Sequence, residues 1–459
     1  ATISIENTSA KVKQNRVSVP SILQTGSVCI NGSFRLCGRI LREDNAPVKG
    51  VNVTLNGAAS QSTTTDDQGN YCFTSVPAGT YSIKPRKTNF PGNGVEADDL
   101  SDLKGHLLQT FILPTPYRLI AADVDNNKQI TATDIARIIP TFKDKSRVFV
   151  NVDSWRFVPK SFQFPNASNP FQSAFPEVIS ATVNKDLSDL DFVGIKMADL
   201  TLDNDPQNSK EEDPTSSLSK HLSKRSIPVI DLILPSDTVR PGSILKLPVY
   251  SKGFHNVLSF GFSVNWEKNK LKFLKVNQFN SKLGLSNSNF ALQNTLNGNF
   301  GVTWYTFDLN GISLPDKEPI FFIEFEVMAA DKEKCSVAFS NLPTPITFAD
   351  PVESFQVNPM AGTITVDALA VGVIDLMVPS GKIFAVPNPV TDQLTIRSSD
   401  FDFNTSSFEV RSIVGETIVV PICKGKSESS LDASSLTPGT YILTVRDKSK
   451  YATLRFLKF

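Results

Sequence analysis

Between the apolar flanks "YRLIAA" and "IARII", residues 123–134 read "DVDNNKQITATD". Asp123, Asp125 and Asn127 stand at the first, third and fifth positions of a possible ion loop. Gln129 at the seventh would offer its backbone carbonyl, Thr131 would supply the ninth contact, and Asp134 at the twelfth would close the cage. Oxygen donors at alternate positions, with no nitrogen or sulfur among them, suit a hard cation that takes roughly six to eight oxygen ligands, so the expected cofactor is Ca2+. Ile130 at the eighth position is apolar, as packing against a partner loop requires, while Lys128 stands at the sixth, where glycine is usual. The same residues also fit an Asx-rich turn that caps a helix at Thr131 or Thr133.

A partner loop, if present, must lie upstream. Counting back from Val95 as an eighth position puts Thr88, Phe90 and Gly92 where acids would stand, although Glu96 and Asp99 remain. One calcium site is therefore expected, the second being degenerate. The elements that would hold these loops are two short helices. Leu100, Leu103, Leu107 and Leu108 recur at helical spacing in "EADDLSDLKGHLLQTF", and "TATDIARII" gives a second helix stopped by Pro140. No helix is expected to enter the loop at Asp123. The acidic turn "MADLTLDND" is too eroded to promise a further ion site near Asp199.

Around this small module the chain is mainly β. Its 459 residues exceed one core, and three or four domains are expected. With 46 basic and 46 acidic residues, the charge points to neither a nucleic-acid nor a membrane-surface partner. Short apolar runs punctuated by 29 Pro and 24 Gly read as tandem β-sandwiches, and no run is long enough to span a bilayer. The start, "ATISIENTSAKVKQ", lacks the pattern of a signal peptide. Residues 1–36 read as a strand ending a preceding domain, so the chain is expected to be the C-terminal portion of something longer. Five cysteines leave at least one unpaired. Cys29, Cys37 and Cys72 cluster, and either one disulfide among them or three buried thiols is expected.

In residues 37–90, Val51, Val53 and Leu55 alternate, as do Tyr71 and Phe73, with Cys72 on the opposite face. Pro47, Gly50, Thr65-Asp66, Gly69-Asn70-Tyr71, Pro77, Gly79 and Tyr81 make this stretch resemble the carboxypeptidase regulatory-like, or transthyretin-like, β-sandwich, a spacer in its family. Residues 91–202, through "PYRLIAADVDNNKQITATDI", "WRFVP", "FPEV" and "DFVGIKMADL", resemble a dockerin-type module of Bacteroidetes surface proteins. The resemblance implies that the segment from Trp155 to about Leu200 packs back on that module. Residues 203–226 mix charge, Ser and Pro without an apolar face and read as a linker. In residues 227–366, Leu258, Phe260, Phe262 and Val264 share one strand face, as do Phe321, Ile323 and Phe325. With Val239, Pro241-Gly242, Leu247-Pro248-Val249, Leu271, Phe273, Gly301 and Trp304 this resembles a cohesin, the sandwich that receives dockerins; an immunoglobulin-like spacer shares the alternation. A connector over 367–383 leads to residues 384–459. There Pro387-Asn388-Pro389, Leu394, Ile396, Gly415, Leu436, Gly439, Tyr441 and the terminal Phe456-Leu457-Lys458 resemble the C-terminal sorting domain of type IX secretion.

No catalytic constellation emerges. "GFSVN" lacks the second glycine of a nucleophile elbow. No phosphate loop, HExxH or CxxC occurs, and His106, His221 and His255 fall in separate segments. Asp237-Thr238-Val239 matches a short O-glycosylation sequence at Thr238, or a plain strand edge. The resemblances together imply a non-catalytic scaffold or adhesin segment, stabilised by calcium. It would be exported to the cell surface or medium through type IX outer-membrane components and would assemble through a cohesin-like or dockerin-like partner in the same or a neighbouring chain. The other readings are the accessory end of a larger secreted polysaccharide-degrading enzyme, or a type IX cargo whose tail binds the export machinery.

Overall fold

A computed structural model describes residues 13–14, 17–18, 33–89, 91–207, 227–368, 383–413, 415–447 and 450–459. The chain divides into two compact units, 1–368 and 369–459. Cys29, His221 and most of the expected linker and connector lie outside the described residues.

The first unit opens with a two-residue ladder, β1 (Lys13–Gln14) with β2 (Val17–Ser18). A sandwich follows, built from β3 (Ser33–Leu41), β4 (Asn52–Gly57), β5 (Gln61–Thr64), β6 (Asn70–Pro77) and β7 (Gly79–Arg86). Alternation places Leu36, Ile40, Val53, Leu55, Tyr71, Phe73, Tyr81 and Ile83 in its core. The β5–β6 turn is held by Asp66, whose Oδ1 accepts the N–H groups of Gln68 and Asn70, both at 2.8 Å. Gly69 turns through φ +73, where a Cβ would strike the Ile40 carbonyl. Cys37 and Cys72, directly opposed on β3 and β6, form a disulfide.

These five strands do not complete the sandwich. Its two sheets run β6-β3-β10-β8 and β5-β4-β7-β9. The added strands are β8 (Trp155–Pro159), β9 (Ile179–Val183) and β10 (Phe192–Lys196). The domain expected to end at residue 90 therefore draws three strands from the stretch assigned to the helical module. The physical reason is edge pairing: β3 and β7 leave open edges that β10 and β9 close, β10 in parallel and β9 antiparallel. Trp155, Phe157, Val183, Leu190 and Phe192 fill the sandwich core. Residues 203–207, expected to be linker, also pack: the Pro206 carbonyl accepts the Lys49 N–H, and Gln207 Nε2 donates to the Pro47 carbonyl.

The helices lie within this sandwich's sequence: α1 (Ala97–Leu107), α2 (Pro116–Ala122), α3 (Ala132–Ile138) and a last turn, α4 (Pro140–Lys143). Pro140 ends α3 as expected, then starts α4 at a position where its missing N–H costs nothing. Contrary to expectation, a helix does enter the loop: α2, capped by Thr115 and started by Pro116, has Asp123 as its C-cap. "PYRLIAA" was too short to show helical periodicity by itself.

A second sandwich takes residues 227–368. Its strands are β11 (Val229–Ile233), β12 (Asp237–Val239), β13 (Ile244–Lys252), β14 (Ser259–Trp266), β15 (Leu271–Asn277), β16 (Phe290–Ala291), β17 (Asn299–Tyr305), β18 (Pro319–Val327), β19 (Lys334–Ser340), β20 (Thr347–Ala349), β21 (Gln356–Met360) and β22 (Gly362–Val366). One sheet runs β15-β18-β13-β11-β21 and the other β12-β22-β19-β14-β17-β16, with β20 also on β14. Phe260, Phe262, Phe321 and Phe348 stack at its centre, with ring centroids 5.2 to 6.2 Å apart. Thr238 is exposed on the edge strand β12.

The second unit is a smaller sandwich of β23 (Phe384–Val386), β24 (Gln393–Arg397), β25 (Ser407–Ser412), β26 (Thr417–Ile418), β27 (Ile422–Cys423), β28 (Glu428–Asp432), β29 (Gly439–Asp447) and β30 (Lys450–Lys458). Its sheets run β23-β24-β28-β27 and β26-β25-β29-β30. Asn388, between Pro387 and Pro389, grips the last strand: its Nδ2 donates to the Arg455 carbonyl at 3.1 Å and its Oδ1 accepts the Leu457 N–H at 2.9 Å. Gly415 takes φ +90, and Gly439 pairs with Lys458. Tyr441 stacks on Phe456 and donates from Oη to the Thr437 carbonyl four residues back, as Tyr81 does to Pro77 in the first sandwich.

Because three strands arrive late in sequence, a fragment of residues 33–90 is expected to stay unfolded while 33–207 folds, as read by amide proton dispersion. Within the intact chain, Phe192→Ala empties a fully packed site and is expected to cost about 3–5 kcal/mol in denaturant unfolding.

Candidate metal centre and docking face

The loop between α2 and α3 gathers the three acids that the sequence spaced apart. Oxygens of Asp123, Asp125 and Asp134 all lie within 4.8 Å of one another. Asp123 Oδ1 accepts the Asn127 N–H and its Oδ2 the Lys128 N–H, each at 3.0 Å. Asp134 is fully buried; its Oδ1 accepts the Val124 N–H at 3.0 Å and its Oδ2 the Thr131 N–H at 2.9 Å. Asn127 links to Asp125 through Nδ2 and accepts the Gln129 N–H at 2.7 Å. Thr131 is the N-cap of α3, its hydroxyl accepting the Thr133 N–H. Ion loop and helix cap are thus one arrangement, with Asp134 serving both. Gln129 is exposed. Lys128 keeps the left-handed turn of the sixth position, at φ +66, a conformation that costs a side-chain-bearing residue roughly 1–2 kcal/mol.

Burial raises all three acids. Asp123 is pushed up to about 6, first by desolvation and then against the backbone N–H of Lys128, with Asp125 adding repulsion. Asp134 rises well above the carboxylate range for the same leading reason, with Asp125 and Asp123 repelling it. Asp125 is raised by desolvation too. Buried like charges this close favour a bound cation, and a donor set of oxygens alone fits a hard one.

The upstream loop is different. Asp99 is fully buried and caps α1 by accepting the Glu96 N–H at 2.7 Å. Its other oxygen turns away from the loop to the N–H groups of Leu200 and Thr201, at 2.6 and 3.0 Å. Asp199 faces Arg42 at 3.9 Å and accepts the Leu202 N–H at 2.8 Å. The buried Lys196 ammonium reaches the carbonyls of Pro91 and Met197. Among the described residues, the only acid cluster with ion-holding geometry is 123–125–134.

Both main helices rest on the second sandwich. Phe260, Phe262 and Val264 of β14 point into its core, while Ser259, Gly261 and Ser263 point outward yet are buried. They are small because helix and loop backbone lie directly on them. Ser259 Oγ donates to the Ala132 carbonyl at 2.6 Å, and a Cβ on Gly261 would sit 3.5 Å from that of Ala132. The last turn of α1 is held by Thr344 Oγ1 on the Leu107 carbonyl and by Gln293 Nε2 on the Leu108 carbonyl, both at 2.8 Å. Arg137 of α3 donates to the Asp350 carbonyl at 2.7 Å. Burial lowers its guanidinium, while Asp125 and Asp134 of the loop and Asp350 and Glu353 of the sandwich pull it back up. Leu258, expected to share a face with Phe260, Phe262 and Val264, lies just before β14 and belongs instead, with Ala349, to the apolar core of the helical module.

None of these docking residues was identified from sequence. The signal available was "SFGFS", whose outward positions are uniformly small. Of the histidines, His106 accepts the Leu113 N–H on Nδ1 at 3.3 Å and His255 is exposed on the second sandwich.

Comparison with known families matches residues 35–99 to the carboxypeptidase regulatory-like domain and residues 383–458 to the secretion system C-terminal sorting domain. A search of curated proteins returns no match. Among solved structures, a chain of a type I cohesin–dockerin complex from Clostridium thermocellum is similar at 15% identity, covering 30% of this chain and 99% of that one, with a TM-score of 0.26. The seventh ScaB type I cohesin from Pseudobacteroides cellulosolvens is similar at 13% identity, with coverages of 31% and 94% and a TM-score of 0.27. A non-cellulosomal cohesin from Archaeoglobus fulgidus is similar at 19% identity, with coverages of 30% and 90% and a TM-score of 0.23. No described helix is long and apolar enough to cross a membrane.

Asp125 is the least buried of the three acids, so Asp125→Asn is expected to leave the fold intact. Calorimetric titration with calcium is expected to show binding to the parent chain and an affinity lower by roughly tenfold or more in the variant, since affinity follows the ligand charge count.

Proposed function

We propose that this chain is an exported, non-catalytic scaffold segment of a Bacteroidetes surface protein, in which a calcium-loaded dockerin-like module is docked on the cohesin-like sandwich of its own chain. The observation that carries the reading is the seating of α3 on Ser259 and Gly261 of β14 and of α1 on Thr344, continuous with the module's own core. Asp123, Asp125 and Asp134 would hold the ion, with Asn127, the Gln129 carbonyl and Thr131 around them. A helix as short as α3, at seven residues, has little stability alone. The ion would neutralise the buried acids at its start, and the sandwich would cover its apolar face.

The sorting-domain match over residues 383–458 implies type IX secretion and a location at the cell surface or outside the cell. The tail's partners would be outer-membrane components of that system. Calcium outside the cell would then load the loop after export, when the module reaches its docking face.

Hydrogen exchange on the full chain, with calcium and then with chelator, tests the docking. Chelator is expected to raise exchange together in 123–139 and in the β14 and β17 amides. Unchanged protection of the sandwich strands while the loop opens would show that calcium does not govern the contact. Ala132→Arg places a long cation on the docking face and is expected to produce the same deprotection in calcium. Removal of residues 383–459 is expected to leave the protein inside the outer membrane, as read by cell fractionation.

A further inference from the structure

The loops at 88–99 and 123–134 are laid out alike, but they are closed differently. In each, the ninth residue caps a helix and the twelfth accepts its N–H: Asp134 from Thr131 at 2.9 Å, Asp99 from Glu96 at 2.7 Å. The second carboxylate oxygen of Asp134 turns back into its own loop, onto the Val124 N–H. That of Asp99 turns outward, onto Leu200 and Thr201. The upstream loop thus holds one oxygen of its twelfth residue where the downstream loop holds two, and its first and fifth residues, Thr88 and Gly92, carry no carboxylate. What reaches its carbonyls instead is nitrogen. Lys196 Nζ, on a side chain only 2% exposed, donates to the Pro91 carbonyl and, at 3.2 Å, to that of Met197. Lys145 Nζ donates to the Val95 carbonyl and approaches Glu96 Oε1 at 3.4 Å.

We propose that Lys196 is the resident cation of the 88–99 loop: its ammonium, covalently tethered to β10, ties the loop's Pro91 carbonyl to the Met197 carbonyl and closes the loop without an ion from solution. A buried ammonium needs acceptors and opposite charge. Pro91 and Met197 supply the acceptors; burial pulls the ammonium down to about 7, while Asp199 and Asp99 pull it back up against the like charges of Lys145 and Lys87. Arg42 and Asp203 complete the charges around Asp199. A divalent ion brought into this loop would find no carboxylate at its first or fifth position, Thr88 and Gly92, and would meet the protonated Lys196 at the Pro91 carbonyl, so the residues do not fit a second calcium. The module therefore has one half open to an ion from solution and one half closed by its own side chain.

The test uses the full chain. Native mass spectrometry in calcium is expected to show no more than one ion per chain, and two would overturn the proposal. Lys196→Met keeps the apolar stem and removes the charge; its thermal midpoint is expected to fall by a similar amount in calcium and in chelator. Lys196→Ala is expected to regain part of the lost midpoint with propylammonium and none with propanol. If Lys196→Ala does not fold, refolding yield in chelator with each additive is the readout instead. A Lys196→Met variant as stable as the parent, or equal rescue by propanol, would mean that the stem and not the cation closes the loop. Readings in chelator are independent of ion binding at 123–134, so failure of that site leaves this result interpretable.

Discussion

Strand β10 has no face toward solvent, and the described residues of 33–207 are arranged around that fact. Phe192 points into the first sandwich; Ile195, with the following Met197 and Ala198, points into the helical module. A strand buried on both sides must satisfy its backbone within one sheet, and β10 does so between β3 and β8. The sandwich cannot close without it, and α2 packs against it while α1 and α3 rest on the second sandwich. The two folds consequently share a strand, although the sequence pattern alone divides them at residue 90.

Buried charge sets the second constraint. Carboxylates removed from water must be compensated, and the module compensates its two loops by different means. Around 88–99 the balance is internal, with Arg42 and Lys196 set against Asp99 and Asp199. Around 123–134 three acids converge, and desolvation pushes each above its ordinary range. Arg137 is close enough to act on them, but its hydrogen bond goes to the other domain at Asp350. The deficit at the second loop is what a mobile cation would fill.

Docking follows from size rather than from charge. Ser259 and Gly261 leave room on β14 for Ala132 of α3, while Ser263 and Gly301 make room for the sandwich's own 343–345 segment, whose Thr344 reaches α1. Three hydroxyl or amide donors then meet helix carbonyls at Leu107, Leu108 and Ala132. Carbonyls at a helix C-terminus are left without partners by the helix itself, so the α1 contacts satisfy groups that would otherwise need water.

Much of this was legible in sequence wherever spacing alone carries the information. Alternating residues in 37–90, 227–366 and 384–459 define strand faces because side chains in a strand repeat every second residue. The acids of 123–134 converge because a tight loop brings alternate positions to one side, and Leu100, Leu103 and Leu107 show a helix face for the same local reason. What spacing could not show is which edge a distant strand would close. "FVGIK" has no polar alternation because both its faces are covered, and nothing local says by what. The α2 helix is seven residues long, below the length at which period is readable, and Lys196 reads as an ordinary strand-end lysine until Pro91 is brought to it. Local geometry was therefore determined by the chain's own order, whereas the pairing of β10, the seat of the helices and the cation at 88–99 were decided only when distant segments competed for the same buried surface.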